Sequence, residues 1–300
     1  MKNIDITLLT ESRYEKPKNP DWYIQNILDE DRILQLALES KGLKVARVDW
    51  ASDNFDWSST KYALFRTTWD YFHRFEEFSK WLESASKMTQ FINNLDIVNW
   101  NMDKHYLSDL QLKGINIPPT VFVEKGEKTN LADLHQQMQW KETILKPTVS
   151  GAARHTYKLN LENLEKHEDI FQQLVKHEAM MLQPFQYNIV DKGEISLMVM
   201  GGKYTHAVLK VAKPGDFRVQ DDYGGSVHNY NPTQEEINFA ERAIVACPSM
   251  PYYARVDIFT DNDDAIALGE LELIEPELWF RESNPAAEVL ADALIENLEF

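Results

Sequence analysis

Apolar residues in the first hundred positions switch between a short and a helical period. Ile4 to Leu9 reads as a strand. From Ile24 to Lys41, helical spacing runs through Ile27, Leu28, Ile33, Leu34, Ala37 and Leu38 and stops at Gly42, a good helix terminator. Leu43 to Val48 and Tyr62 to Arg66 predict two more strands, and Phe75 to Leu82 a helix. Such alternation predicts a parallel sheet with crossover helices, whose ligands bind beyond the carboxyl ends of the strands. Arg66-Thr67-Thr68-Trp69-Asp70-Tyr71 falls at one such end. It reads either as a ligand loop or as a helix N-cap by Thr68 or Asp70, with Trp69 as packing.

From about Asn99 the pattern changes. Lys104 lies near the start of a helix expected to reach Lys113, and Pro118-Pro119 leads into a strand at Thr120 to Glu124. Ile144 to Pro147 predicts another strand, followed by the small-residue run Thr148 to Arg154. Such a run can offer backbone N–H groups to an anion, or simply turn tightly. Met180 to Phe185 closes this region, and Pro184 makes a crossing or hinge plausible. Glu194 to Val199 and Tyr204 to Val211 predict a hairpin across Gly201-Gly202, and Phe217 to Gly225 is a polar, glycine-bearing loop. Thr233 caps an expected helix to Ala246, with Glu235 and Glu236 in its first turn. Pro285 to Leu298 predicts a closing helix. The expected units are residues 1–98, 99–185 and 186–300.

Between the last two helices lies a strongly acidic hairpin. Tyr252 to Thr260 and Ala265 to Ile274 read as strands around the turn-forming run Asp261-Asn262-Asp263-Asp264. If those residues are the loop, Thr260 faces Ala265 and Asp257 faces Leu268. Period-two alternation then puts Asp257, Glu270 and Glu272 on one face. Asp257 and Glu270 become diagonal neighbours, roughly 7–8 Å apart. An odd-length loop without a bulge would put Asp257 on the wrong face. Carboxylates on an apolar strand need partners, because an unpaired buried charge is costly. A hard divalent cation is one partner; Arg255 with nearby lysines is the other.

Composition narrows the class. The chain has 300 residues, is 43% hydrophobic and 11% aromatic, and so is globular. Its net charge of -17 argues against nucleic acid and anionic membranes as partners. It also means that any phosphate ligand needs locally supplied cations. The apolar runs are far short of a membrane span, and the N-terminal run is too short and polar for a signal peptide. One cysteine, Cys247, excludes an internal disulfide and fits a reducing cytoplasm. There is no P-loop, no G-x-G-x-x-G, no H-E-x-x-H or paired-cysteine zinc motif and no G-x-S-x-G. The eight histidines are scattered. Asp261 to Asp264 lacks the glycine and distal glutamate of an EF-hand and reads as a solvated turn.

What remains is an ordered set: Lys104, Lys146-Pro147, the small-residue loop, Gln183-Pro184-Phe185, Glu194, Lys210, Arg218, then Arg255-Val256-Asp257 and Glu270-Leu271-Glu272-Leu273-Ile274-Glu275-Pro276. With Phe65 to Tyr71, Asn101-Met102-Asp103-Lys104 and Gly224-Gly225, it resembles the ATP-grasp superfamily. The resemblance is closest to the glutathione-synthetase-like branch that includes cycloserine synthetase. It runs from about Asn99 to Pro276. It implies an α/β and α+β fold: an N-terminal doubly wound α/β domain on the substrate side, then two α+β subdomains enclosing the nucleotide. The central one is a mobile lid and the C-terminal one carries the metal site.

The resemblance also implies residue roles. Lys104 and Lys146 contact ATP phosphates, with Lys210 on the nucleotide side. The loop of Ser150, Gly151, Ala152 and Arg154 closes over the phosphates. Gln183, Pro184 and Phe185 line the adenine pocket, and Glu194 holds the ribose or an adjacent polar group. Arg218 stabilises the transferred phosphoryl group. Asp257, Glu270 and Glu272 hold one or two Mg²⁺ ions, for which Mn²⁺ can substitute. Many relatives carry Asn where Glu272 stands, and most have more glycine in the phosphate loop. Substrate contacts are expected from Arg66, whose fork suits a carboxylate, from Asp70 and from Tyr223.

The implied reaction is ATP- and Mg²⁺-dependent ligation of a small-molecule carboxylate to a nitrogen nucleophile, on amino-acid-like substrates and through an acylphosphate. Intramolecular ring closure is the narrower form. A nucleotide-binding regulator of the same fold, without ligation, is the rival. A homodimer is open.

Overall fold

β1 (Ile4–Thr10) lies inside its sheet, buried on both faces from Ile6 to Thr10. In a computed structural model, which describes residues 2–219 and 224–300, it is followed by α1 (Ser12–Glu15), α2 (Trp22–Ser40), β2 (Val45–Asp49), β3 (Thr60–Thr67), α3 (Phe75–Ala85) and β4 (Gln90–Ile92). The four strands are parallel in the order β2-β1-β3-β4, as the alternation predicted. Asp21 caps α2 by accepting from Ile24 N, and the helix buries Ile27, Leu34, Ala37 and Leu38.

The second region holds α4 (Leu95–Asn101), α5 (Tyr106–Leu112), β5 (Val121–Val123), α6 (Leu131–Met138), β6 (Glu142–Pro147), β7 (Tyr157–Asn160), α7 (Leu164–Val175) and β8 (Met180–Pro184). Its strands run antiparallel in the order β5-β8-β6-β7 over a core of Val123, Leu145, Phe171 and Leu182. Lys104 was expected near the start of a helix, and α5 begins two residues after it. It lies in the turn between α4 and α5, where its backbone N–H donates to Thr148 O at 2.9 Å.

The third region holds α8 (Tyr187–Lys192), β9 (Glu194–Met200), β10 (Lys203–Val211), β11 (Ser226–Tyr230), α9 (Gln234–Val245), β12 (Tyr253–Thr260), β13 (Ile266–Glu272) and α10 (Asn284–Asn297). The antiparallel order is β11-β10-β9-β12-β13. Thr233 and Glu236 form a capping box on α9. One sheet face buries Leu197, Val199, Val256, Ile258 and Leu271 against α9 and α5. The pairings Lys210↔Glu194, Asp257↔Ser196, Arg255↔Met198 and Asp257↔Glu270 put the polar residues on the other face.

Two asparagines sew the regions together. Asn93 donates to Tyr253 O and Leu273 O, both at 2.9 Å, and accepts from Tyr252 N at 2.6 Å. Asn101 donates to Leu271 O at 2.8 Å and accepts from Leu273 N at 2.9 Å. Asn101 replaces a strand partner at the buried edge of β13 and Asn93 bridges the start of β12 to the residue after β13, where unpaired backbone groups would be costly. Among the described residues no helix is long and apolar enough to cross a membrane.

Candidate active site

The acidic hairpin closes with an odd register. Thr260 opposes Ile266, not Ala265, leaving residues 261–265 between the paired strands. Continued unbroken, that ladder would set Asp257 against Gly269 and turn Glu270 and Glu272 to the opposite face. A bulge between Asp257 and Ile258 absorbs Gly269, so Asp257 opposes Glu270 directly. The three carboxylates therefore share a face, as cross-strand rather than diagonal neighbours. Gly269 suits the bulge, because a Cβ there would come within 3.0 Å of the Phe259 ring.

That face forms one wall of a cavity of about 570 Å³ to which all three regions contribute, through Tyr71, Lys146 and Glu270 among others. Cations and carboxylates alternate across it. Asp257 accepts from Ser196 Oγ at 2.6 Å, Lys210 Nζ at 3.1 Å and Arg255 Nη2 at 2.9 Å. Lys210 also meets Glu194 at 2.5 Å, and Arg255 reaches Glu272. Lys104 Nζ lies 3.0 Å from Glu270 and donates to Ser150 O at 2.6 Å.

Burial alone would raise Asp257, but Arg255 and Lys210 outweigh it and hold the carboxyl down at about 2. Burial is likewise overcome at Glu270, lowered by Lys104 and Lys146. It wins at Glu272, pushed up to about 8 despite Arg255, with Asp257 and Glu270 adding to the rise. Burial and the neighbouring Lys104 push the Lys146 ammonium down, while Glu270 opposes.

Glu270 and Glu272 offer hard oxygen donors two residues apart on one strand face, and the raised Glu272 marks negative charge that a cation would relieve. The donor chemistry fits a hard divalent ion. Among the described residues, however, no three carboxylates are gathered closely enough to hold one as they stand. Arg255 and Lys210 occupy Asp257, so both partners weighed for the hairpin bear on the outcome.

Lys104, Lys146, Ser150, Gly151, Ala152, Gln183, Pro184, Phe185, Glu194, Lys210 and Arg218 all line the cavity. Gly151 permits a close approach, since a Cβ there would stand 2.6 Å from the Phe72 ring. Arg154 does not line the cavity. Its fork is committed to Glu178 at 2.7 and 2.8 Å, which pins the loop. Arg218 rests on Asp216 through Nε at 3.1 Å and Nη2 at 2.8 Å.

Two expected substrate contacts lie elsewhere. Arg66 is 1% exposed. It pairs with Glu30 at 3.5 Å and Asp31 at 3.3 Å, so its guanidinium holds the fold together and does not reach the cavity. Asp70 is bound by Trp50 Nε1 at 2.7 Å and Arg74 Nη1 at 2.8 Å, again outside the lining. Tyr223 lies outside the described residues.

The cavity also contains residues that sequence reasoning gave no site role: Arg255, Tyr71 and Glu275. Arg255 bridges Asp257 and Glu272 with its guanidinium 5.3 Å from the Trp279 ring. Its two-residue spacing from Asp257 was the available signal, since such residues share a strand face.

This fold and a cavity walled by lysines and paired carboxylates define an ATP-grasp ligase. Residues 103–273 match the RimK-like ATP-grasp domain, and residues 6–93 match the N-terminal domain of D-cycloserine synthetase DcsG. The chain belongs to the RimK-like ATP-grasp family and is an ATP-dependent ligase that forms carbon–nitrogen bonds. It is 28% identical over 285 residues to the cycloserine biosynthesis protein DcsG of Streptomyces lavendulae, across 88% of this chain and 92% of that one. The crystal structure of D-cycloserine synthetase DcsG matches with a TM-score of 0.84 at 25% identity, over 98% of this chain and 99% of the other. D-alanine–D-alanine ligase from Bacillus anthracis shares the fold at a TM-score of 0.64 and 15% identity, over 98% and 96% of the two chains.

Proposed function

We propose that the protein uses ATP to activate the carboxylate of a small, amino-acid-like substrate and passes the acyl group to a nitrogen nucleophile. The observation that carries this reading is the convergence of Lys104, Lys146, Lys210 and Arg255 with Glu270 and Glu272 on one cavity. A carboxylate is a poor acyl donor because its leaving group would be oxide. Its oxygen attacks the γ-phosphorus of ATP; that O–P bond forms as the bond to ADP breaks. The nitrogen then attacks the carbonyl carbon, phosphate leaves with the C–O electron pair, and the proton lost from the nitrogen goes with it. Catalysis is mostly positioning and charge neutralisation.

Lys104 and Lys146 hold the phosphates, and the Ser150 to Ala152 segment covers them. Gln183, Pro184 and Phe185 flank the base, and Glu194 serves the ribose side. Arg255 and Arg218 carry the charge that develops on the transferred phosphoryl group. Glu270 and Glu272, with Asp257 beside them, would hold Mg²⁺. Bound there, the ion would supply positive charge that offsets repulsion between ATP and the substrate carboxylate. Water must be kept from the acylphosphate, so residues 99–185 close over residues 186–300 during turnover, with residues 1–98 on the substrate side. The cytoplasm, with its ATP supply, is the expected setting.

The match to D-cycloserine synthetase along nearly the whole chain favours a second form, in which the attacking nitrogen belongs to the same molecule as the acyl group. A panel of amino acids with hydroxylamine as trapping nucleophile tests the reading. ADP release and a hydroxamate are expected from the true substrate, and a cyclic product from one substrate alone would assign the intramolecular form. ATP binding without turnover across the panel would favour a regulator of the same fold.

A further inference from the structure

Two segments have no place in the nucleotide chemistry, and they are bound to each other. Arg66 Nη1 donates to Pro276 O at 3.2 Å, Trp69 Nε1 donates to Glu275 O at 2.9 Å, and the Tyr71 phenol lies beside the Glu275 carboxyl. From the other side, Tyr253 OH donates to Ile274 O at 2.7 Å, and Leu278 N donates to Glu30 at 3.0 Å. The turn is thus fixed along its backbone, while the half-buried Glu275 lines the cavity beside Tyr71 and Trp69.

Lys104 is already committed to Glu270, Lys210 to Glu194 and Asp257, and Arg255 to Asp257 and Glu272, while Lys146 is influenced by Glu270 and Glu194 and not by Glu275. Among the described residues Glu275 has no ion-pair partner within 4.0 Å. A phenol is a neutral donor and leaves the carboxylate charge uncompensated. Burial pushes this carboxyl up to about 7, with Lys104 and Tyr71 opposing. A cation supplied from the cavity would complete the arrangement. The reacting carboxylate sits in this same cavity, beside the phosphates that Lys104 and Lys146 hold, so the ammonium of the same small molecule is the cation at hand.

We propose that Glu275, aimed by Tyr71 and Trp69, binds the ammonium group of the substrate and makes this enzyme select an amino acid over the same acid without its nitrogen. The proposal rests on the ligase reading above. Glu275 is a specificity residue; Tyr71 and Trp69 are positioning residues. The aromatic rings beside it add favourable faces for an ammonium.

The test uses matched acids: alanine against propionate and serine against 3-hydroxypropionate, both enantiomers of each amino acid, with ATP, Mg²⁺ and hydroxylamine. The wild-type protein should favour the amino member by roughly 100-fold or more in kcat/KM, as buried groups built for one partner reject an analogue that lacks it. Glu275→Gln should cut that ratio to about 10 or less, with the loss in KM for the amino acid. Tyr71→Phe should lower the ratio by an intermediate amount. An ATP-induced rise in Tm confirms that each variant is folded; if Glu275→Gln is not, the ratio in Tyr71→Phe decides. An unchanged ratio in the folded variants, or an equal loss of kcat for both members, overturns the anchor. A wild-type protein that uses both members equally also overturns it and leaves the ligase reading standing. No ADP release with any acid of this set or of the wider amino-acid panel overturns the ligase reading, and the anchor with it.

Discussion

Glu270 and Glu272 stand two residues apart on one strand, yet their proton affinities move in opposite directions. Glu270 faces Lys104 and Lys146 and is lowered; burial, with Asp257 and Glu270 nearby, raises Glu272 to about 8. Removing the Glu270 charge should therefore strike activity before stability. Glu270→Gln is expected to lower ADP formation by about 1,000-fold or more, in line with losing a charge that acts on the transition state. Its Tm should stay within a few degrees of wild type. Full ADP formation in this variant would remove Glu270 from the machinery. Arg255 should behave differently, because it supports two carboxylates. Arg255→Met leaves Asp257 and Glu272 short of a counter-charge and should cost about 3 kcal/mol of stability, measured by urea denaturation, as well as activity. Residue types were legible at this scale: lysines for phosphates, carboxylates for a metal. Which arginine enters the cavity was not. Arg66 and Arg255 look alike in sequence, and only packing decides that the first is sealed against Glu30 and Asp31.

At the scale of elements, the informative unit is the β12–β13 hairpin. Its register is odd and a bulge at Gly269 restores the shared face. Adding a Cβ there crowds the Phe259 ring at 3.0 and 3.3 Å, so Gly269→Ala should cost about 1 kcal/mol and reduce turnover by disturbing Glu270. Combining it with Phe259→Leu should recover part of the loss in a double-mutant cycle on Tm and kcat; strict additivity would mean that the two residues do not communicate. Strands with continuous apolar runs and capped helices were readable from spacing. α6, α7 and β7 were not anticipated. The apolar residues of α7 are few and set among charges, with Leu164, Phe171 and Val175 buried only because β6 and β8 lie beneath. α4 escaped notice because it merges with the Lys104 turn.

For the whole molecule, stability should carry the mark of buried carboxyls whose charge is poorly met. Burial pushes Glu30 up to about 7 even with Arg66 and Arg281 beside it, and Glu275 reaches about 7 as well. Between the ordinary glutamate value near 4.5 and pH 7, the folded protein binds more protons than the unfolded chain, so stability falls as pH rises through that window. Asp257, held at about 2, acts in the other direction, and its contribution is lost only below about pH 4. The Tm should therefore be highest near pH 5 and fall by several degrees toward pH 8. Glu30→Gln should flatten the slope; a Tm that rises steadily from pH 5 to 8 would contradict these directions.

The sequence by itself determined the parallel α/β beginning, the order of cations along the chain, the acidic hairpin and the ATP-grasp resemblance, because each rests on local spacing or on residue type. Tertiary structure decided the rest. It placed Gly269 in a bulge, turned Arg66 and Arg154 away from the cavity, brought Arg255 into it, and joined Trp69 and Tyr71 to Glu275. The reason is physical: a side chain's facing depends on strand register and on partners distant in sequence, and neither is encoded in the spacing of residues along one segment.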